Sequence, residues 1–218
     1  MATAERPLRR DAERNRERLL AAARLLFAER GLDVSMDDIA DRAGGGVGTA
    51  YRRFRNRDEL IDALFEDRMA QFVALAEEAL GEPDPWGALT GFLERSIAMQ
   101  AADRGFKELV VGHHSACDRV ATVRERMLPL VRRLVERARD AGELRADVSE
   151  LDVPLFSVML GSVADFAHDT EPELWRRYLT LVLDGLRARP APTTALTPAP
   201  LNVAQLDSAM TAWRPSRR

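Results

Sequence analysis

Residues 35–60, SMDDIADRAGGGVGTAYRRFRNRDEL, leave this chain few ways to fold. The run Gly44, Gly45, Gly46 permits positive φ and a sharp turn, and it separates two short stretches with apolar faces. Ile39, Ala40 and Ala43 supply the first face, and Ala50 with Phe54, spaced i, i+4 over 49–54, supplies the second. Ser35 starts the first stretch, and Asp38 three residues later completes an aspartate version of the capping box. Arg42, Arg52, Arg53, Arg55 and Arg57 then lie between Asp41 and Asp58 with no acid among them. The whole chain has net charge -3, so this basic stripe needs a local reason, and a polyanion supplies one. Two short helices around a tight turn, with a basic outer face, form a device for placing a helix in the major groove of DNA.

The rest of the chain reads as helix. Its 218 residues are 46% hydrophobic, enough for a real core, and 31% charged, and Leu, Ala, Arg and Glu dominate the body. Leu19, Ala23, Leu26 and Phe27 form one face of a first helix that Gly31 ends. Asn56 caps a long fourth helix, with Leu60, Ile61, Leu64, Phe65, Phe72, Leu75 and Ala79 as its buried stripe, and Gly81 closes it. Asp84 followed by Pro85 opens the next helix, which carries Trp86, Leu89, Phe92, Leu93, Ile97 and Met99. Further helices are expected over 106–115, 120–141, 150–168 and 171–188, with Ser149/Asp152 and Thr170/Glu173 as capping boxes for the last two. Pro129 predicts a kink or break inside the second of these. No run alternates with period two, so the fold class is all-α. From Pro190 onward, prolines punctuate an Ala- and Thr-rich segment that reads as a flexible tail, with a short helix over 201–213 as its only candidate element.

Cys117 is the only cysteine, so no disulfide forms within one chain, which fits a reducing compartment. The first twenty residues contain no apolar signal core, and no window is long and apolar enough to span a bilayer. A cytoplasmic protein with no membrane partner is expected.

Residues 18–60 resemble the N-terminal domain of the tetracycline-repressor (TetR) family of bacterial transcriptional regulators. Ala22, Ala23, Leu26, Phe27, Gly31, Ile39, Ala40, Ala43, Gly44, Gly48, Thr49, Tyr51, Phe54 and Leu60 stand in the family's order and spacing, and Asn56 with Arg57 fits the close of its motif. Later helices resemble the family in number, length and order. The resemblance implies a helix-turn-helix DNA-binding domain over 1–60, a helical ligand-binding and dimerisation domain over 61–188, and then the tail, 189–218. It implies base contacts near Val47, Gly48 and Arg52, phosphate contacts from Thr49, Tyr51, Arg53 and Arg57, and further DNA contacts at Ser35 and Asn56. The implied partners are a palindromic duplex operator, a second copy of the chain and a small apolar or aromatic effector; the implied role is that of a repressor. The fourth helix, which starts at the phosphate-binding groups and runs on through Phe65 and Phe72, would couple effector to operator. Two positions depart from the family pattern. Gly45 replaces a β-branched residue, a loss expected to cost about 1 to 3 kcal/mol if it empties a small core. Gly46 replaces a serine that caps the recognition helix.

For the effector pocket the candidates are Phe72, Trp86, Phe92, Met99, Phe106 and Met127, with His113 or His114 as polar groups. For the dimer interface they are Phe156, Met159, Val163, Trp175, Leu179, Val182 and Leu183, all on the last two helices. His113 and Cys117, spaced i, i+4, offer an alternative: a metal- or redox-responsive regulator built on the His113/His114/Cys117 region. Two ligands are too few for a metal site, and no cofactor is expected. GGGVGT as a phosphate-cradling loop lacks both the following Lys-Ser/Thr and the preceding strand. No paired acids or Ser-His-Asp arrangement indicates an enzyme.

Overall fold

Gly31 ends the first helix with φ at 72°, and its amide donates to the Phe27 carbonyl at 2.9 Å. The computed structural model describes residues 5–111, 118–190 and 194–212. Among these residues the regular elements are all helices, and one isolated bridge joins Leu144 and Arg187. No helix among the described residues is long and apolar enough to cross a membrane. The chain divides into two compact units, Met1–Asp67 and Arg68–Arg218.

In the first unit, α1 (Glu5–Arg30) packs on α2 (Met36–Arg42), and α2 packs on α3 (Val47–Arg53). The start of α4 (Arg57–Gly81) completes it. Leu19, Ala23, Leu26, Phe27, Ile39, Ala40, Ala50, Phe54, Leu60 and Ile61 are all buried, as their spacing predicts. Phe27 stacks on Phe65 with ring centroids 6.3 Å apart. The capping box of α2 is formed: Ser35 Oγ accepts from the Asp38 amide at 3.1 Å, and the Ser35 amide donates to Asp38 Oδ2 at 3.1 Å. Hydrogen bonds from the Ser35 hydroxyl and amide hold the Asp38 carboxyl below the usual carboxylate range.

In the second unit, α5 (Pro85–Ala101) packs against α6 (Arg104–Val111), α7 (Asp118–Asp140), α8 (Val153–Ala167) and α9 (Leu174–Leu186). Asp84 caps α5 by accepting from the Trp86 and Gly87 amides at 3.2 and 3.0 Å. The end of α4 and the turn after it are met by Arg137 of α7, which donates to Leu80 O and Glu82 O at 2.7 Å each. Ser149 and Asp152 form their capping box around a short 3-10 turn, Glu150–Asp152, which leads into α8.

Three expectations need correction. Of the kink or break expected at Pro129, the break is absent, and α7 runs through the proline. Pro129 and Glu125, whose carbonyl the proline leaves without an amide, are both exposed, so water can take the freed acceptor. Thr170 and Glu173 do not cap α9: the Thr170 hydroxyl instead donates to Ala167 O, which also accepts from the Thr170 and Glu171 amides. The third concerns the segment expected to be a flexible tail. Arg145 Nη2 donates to Thr194 O at 2.6 Å, and Asp147 Oδ2 accepts from the Leu196 amide at 3.1 Å. The chain then forms α10 (Val203–Ala212), opened by reciprocal bonds between Asn202 and Gln205 at 2.9 Å each, with Leu206 buried. Apolar burial at Leu206 and satisfied backbone groups at 194 and 196 outweigh the proline content.

Candidate nucleic-acid interface and apolar cavity

The turn between α2 and α3 is built on one left-handed residue, Gly44, at φ 68°. Its amide donates to Asp41 O at 3.0 Å, and Arg18 Nη2 of α1 donates to Ala43 O at 2.6 Å, so a second element pins the end of α2. Gly46 is the N-cap of α3, extended at φ -83° and ψ 147°, with no side-chain bond to the helix. Gly45 is exposed, and a Cβ built on it meets no other atom within 4 Å. The core loss expected at Gly45 is therefore absent, because that position faces solvent and leaves no cavity.

Ala50 and Phe54 take the buried side, and Arg16 lies over the Phe54 ring, 5.9 Å from its centroid. The opposite side presents Gly48, Tyr51, Arg52 and Arg53 to solvent, with Val47 and Thr49 half-buried. Six of the nine candidate DNA contacts thus share one short helix. Arg52 Nη2 donates to Thr49 Oγ1 at 2.9 Å. Asn56 Oδ1 accepts from the Glu59 amide at 2.8 Å, capping α4. Glu59 Oε2 accepts from the Arg55 amide at 2.6 Å, and that bond holds the Glu59 carboxyl below its usual range. Arg57 is half-buried, and its Nε and Nη2 are buried with no hydrogen-bond partner. Ser35 is exposed, with its hydroxyl engaged in the α2 cap. Sequence reasoning missed the supporting roles of Arg16 and Arg18. Both are exposed-type residues on an amphipathic helix, and nothing in their spacing singles them out.

The second unit contains a partly open apolar cavity of about 150 Å³. Phe72, Phe92 and Met127 line it. Trp86, Met99 and Phe106 do not. Trp86 lies under the Arg187 guanidinium, 4.5 Å from its ring centroid, Met99 is half-buried away from the lining, and Phe106 backs the Phe72 ring edge-on at 5.7 Å. His113, His114 and Cys117 lie outside the described residues. Among the described residues no His, Cys, Asp and Glu groups cluster as a metal site would require.

The polar groups in the lining are Ser96, Ser157, Glu150 and Asp207. Gln100 stands behind the two serines, its Nε2 3.2 Å from Ser96 O and 3.5 Å from Ser157 Oγ, and its Oε1 is buried without a partner. Burial pushes the Glu150 carboxyl up, but its backbone bond and the Arg132 guanidinium, 3.0 Å away, outweigh burial and hold it below the usual range. Among the described residues, no basic residue lines the cavity. Val203, Leu206, Asp207 and Met210 of α10 form one wall. Sequence reasoning missed that wall, although Asn202 and Gln205 ahead of an apolar i, i+3, i+7 stripe carried the signal.

The candidate dimer residues separate. Trp175 and Leu179 are 1% and 4% exposed and pack with Ile97, Leu160 and Ala164 in the core of the unit. They are corrected to core residues, because α5 and α8 already cover them. Val163 and Leu183 pack partly against the same cluster, and Phe156 and Val182 are half-buried. Met159 is 50% exposed, Tyr178 on the same expected surface is 42% exposed, and Leu181, which was not expected there, is 61% exposed.

Two family profiles match. One, described as bacterial regulatory proteins of the tetR family, matches residues 19–64, and the other, described as the C-terminal domain of SbtR-like transcriptional regulators, matches 84–188. An HTH-type transcriptional regulator of Staphylococcus aureus is 36% identical over 85 residues, 38% of this chain, and the chain spans less than half the length of such curated relatives, 44% in this case. A TetR transcriptional regulator from Streptomyces coelicolor has a solved structure 32% identical in sequence, with a TM-score of 0.53 over 79% of this chain and 98% of that one. The transcriptional regulator FadR from Bacillus subtilis, solved in complex with stearoyl-CoA, shares the fold at 17% identity, with a TM-score of 0.58 over 78% of this chain and 98% of that one.

Proposed function

Since this chain belongs to the TetR family, whose members are transcriptional regulators and not enzymes, we propose that it is a cytoplasmic, homodimeric repressor released from a palindromic operator by a small apolar or aromatic molecule. The observation that carries the reading is the exposed face of α3, which presents Gly48, Tyr51, Arg52 and Arg53 to solvent opposite buried Ala50. Val47, Gly48 and Arg52 would meet base edges, while Thr49, Tyr51, Arg53, Asn56 and Arg57 would hold phosphates. Ser35, exposed at the start of α2, completes the proposed set of DNA contacts.

DNA binding is assigned to 1–60, and sensing and pairing to 61–188. The apolar cavity supports an effector, and the stearoyl-CoA complex of FadR supports ligand binding by this fold. Exposed Met159, Tyr178 and Leu181 support pairing through α8 and α9. α4 carries Arg57 at its first residue and Phe72 in the cavity lining. A ligand that favours one arrangement of that helix would change operator affinity, and the coupling would be reciprocal, typically about 1 to 3 kcal/mol.

Selection from random duplex DNA tests the reading. Enrichment of a two-fold site with half-sites about 34 to 36 Å apart, or a multiple of that spacing, is expected. Recovery of no two-fold sequence would remove the operator-binding claim.

A further inference from the structure

The cavity owes part of its enclosure to a helix outside the matched family domain. The C-terminal profile ends at residue 188, whereas α10 spans Val203–Ala212. Along α10, Leu206 is buried and Met210 half-buried toward the cavity, while most of its other described side chains are exposed. Among the described residues of the segment before it, Arg145 and Asp147 hold the backbone of Thr194 and Leu196. A helix held by so little apolar surface opens locally at small cost.

Size gives this wall a role. An apolar cavity of about 150 Å³ admits a molecule such as benzene, whereas sites for drug-sized ligands run to about 300–1,000 Å³. Charge narrows the choice further. Among the described lining residues, an anionic head would meet Glu150 and Asp207 and no guanidinium or ammonium. Ser96 and Ser157 offer neutral hydrogen-bonding groups instead.

We propose that α10 is a size gate on the effector cavity. Seated, it restricts the site to an uncharged molecule of about one aromatic ring, and Leu206 and Met210 set that limit. This deepens the effector reading and rests on the cavity being the effector site.

Two probes test it on the full chain: toluene, followed by the shift in melting temperature, and N-phenyl-1-naphthylamine, followed by its fluorescence. The parent is expected to be stabilised by toluene and to leave the larger probe dark. The double variant Leu206→Ala, Met210→Ala should bind N-phenyl-1-naphthylamine at least about tenfold more tightly than the parent. Asp147→Ala removes the acceptor of the Leu196 amide and leaves both cavity side chains in place, so it should show the same gain even if the double variant folds poorly. A parent that takes both probes as well as its variants do would overturn the gate and leave the effector reading standing. Binding of neither probe by any of the three proteins would overturn both.

Discussion

Arg52 Nη2 donates to Thr49 Oγ1 at 2.9 Å, one turn back along the same short helix. The guanidinium proposed to read a base therefore lies along α3 in the free protein. The donor is charged and the bond lies exposed to solvent, and a bidentate contact to a base edge discriminates by about 1–3 kcal/mol. A base edge would take the guanidinium's donors in place of Thr49. Arg52→Ala is expected to cost about 1–3 kcal/mol on the selected operator and to relax preference at one base position, read by binding to a panel of single-base operator variants.

Arg53 and Arg57 should behave differently. Each change to Ala should weaken binding to all sequences by a similar factor and lower the slope of log affinity against log salt by about one unit. Titrations at several salt concentrations measure this. If the Arg52, Arg53 and Arg57 variants all lost the same factor on every sequence, the separation of base readers from phosphate anchors would fail.

Gly46 occupies an N-cap without a capping side chain, in a backbone conformation any residue adopts. A Cβ there meets no atom within 4 Å. Gly46→Ser should therefore raise stability by about 0.5–1 kcal/mol, combining a hydroxyl cap with reduced freedom of the unfolded chain. Denaturant unfolding of the free protein checks it, and a lower midpoint would contradict the cap geometry.

Leu179 and Leu181 lie two residues apart on α9 with opposite environments, 4% and 61% exposed. Leu181→Arg should preserve the helical circular dichroism signal and shift sedimentation from dimer to monomer. Leu179→Arg should unfold the second unit instead, because a lone charge would enter the cluster around Trp175. A Leu181→Arg protein that still sediments as a dimer would place the interface elsewhere.

The clamp on the C-terminal segment has a defined pH range. Asp147 is lowered from 3.8 to about 2, first by its hydrogen bond from Arg145 and then by that from the Leu196 amide. Its folded-state value lies below its unfolded one, so the contribution to stability is complete above 3.8 and is lost as pH falls toward 2. The Leu196 amide resonance should stay unchanged from neutral pH down to about 4 and move with a midpoint near 2. A midpoint at the ordinary value of 3.8 would show that the clamp is open in solution.

Local motifs were the most readable part of this chain. Ser35 with Asp38, Asp84 before Pro85, and Ser149 with Asp152 each satisfy backbone groups within three residues, and all three form. Thr170 with Glu173 has the same pattern and does not cap, because the end of α8 supplies a competing acceptor at Ala167. Long-range questions were harder. An apolar stripe on α9 does not say which half its own subunit covers, so Trp175 and Leu179 looked as available as Leu181. The environment of Gly45 depends on neighbours that are remote in sequence. At the C-terminal end, the prolines obscured a cap and an apolar stripe that were legible together.

Lys107 is the only lysine of the chain, and it is buried at 4% exposure, its ammonium joined to Asp165. An amine-reactive reagent therefore finds no lysine side chain on the folded surface. It reaches one only when the packing of α6 against α8 comes apart, so acylation of Lys107, followed by mass spectrometry, becomes a clock for the opening of the core.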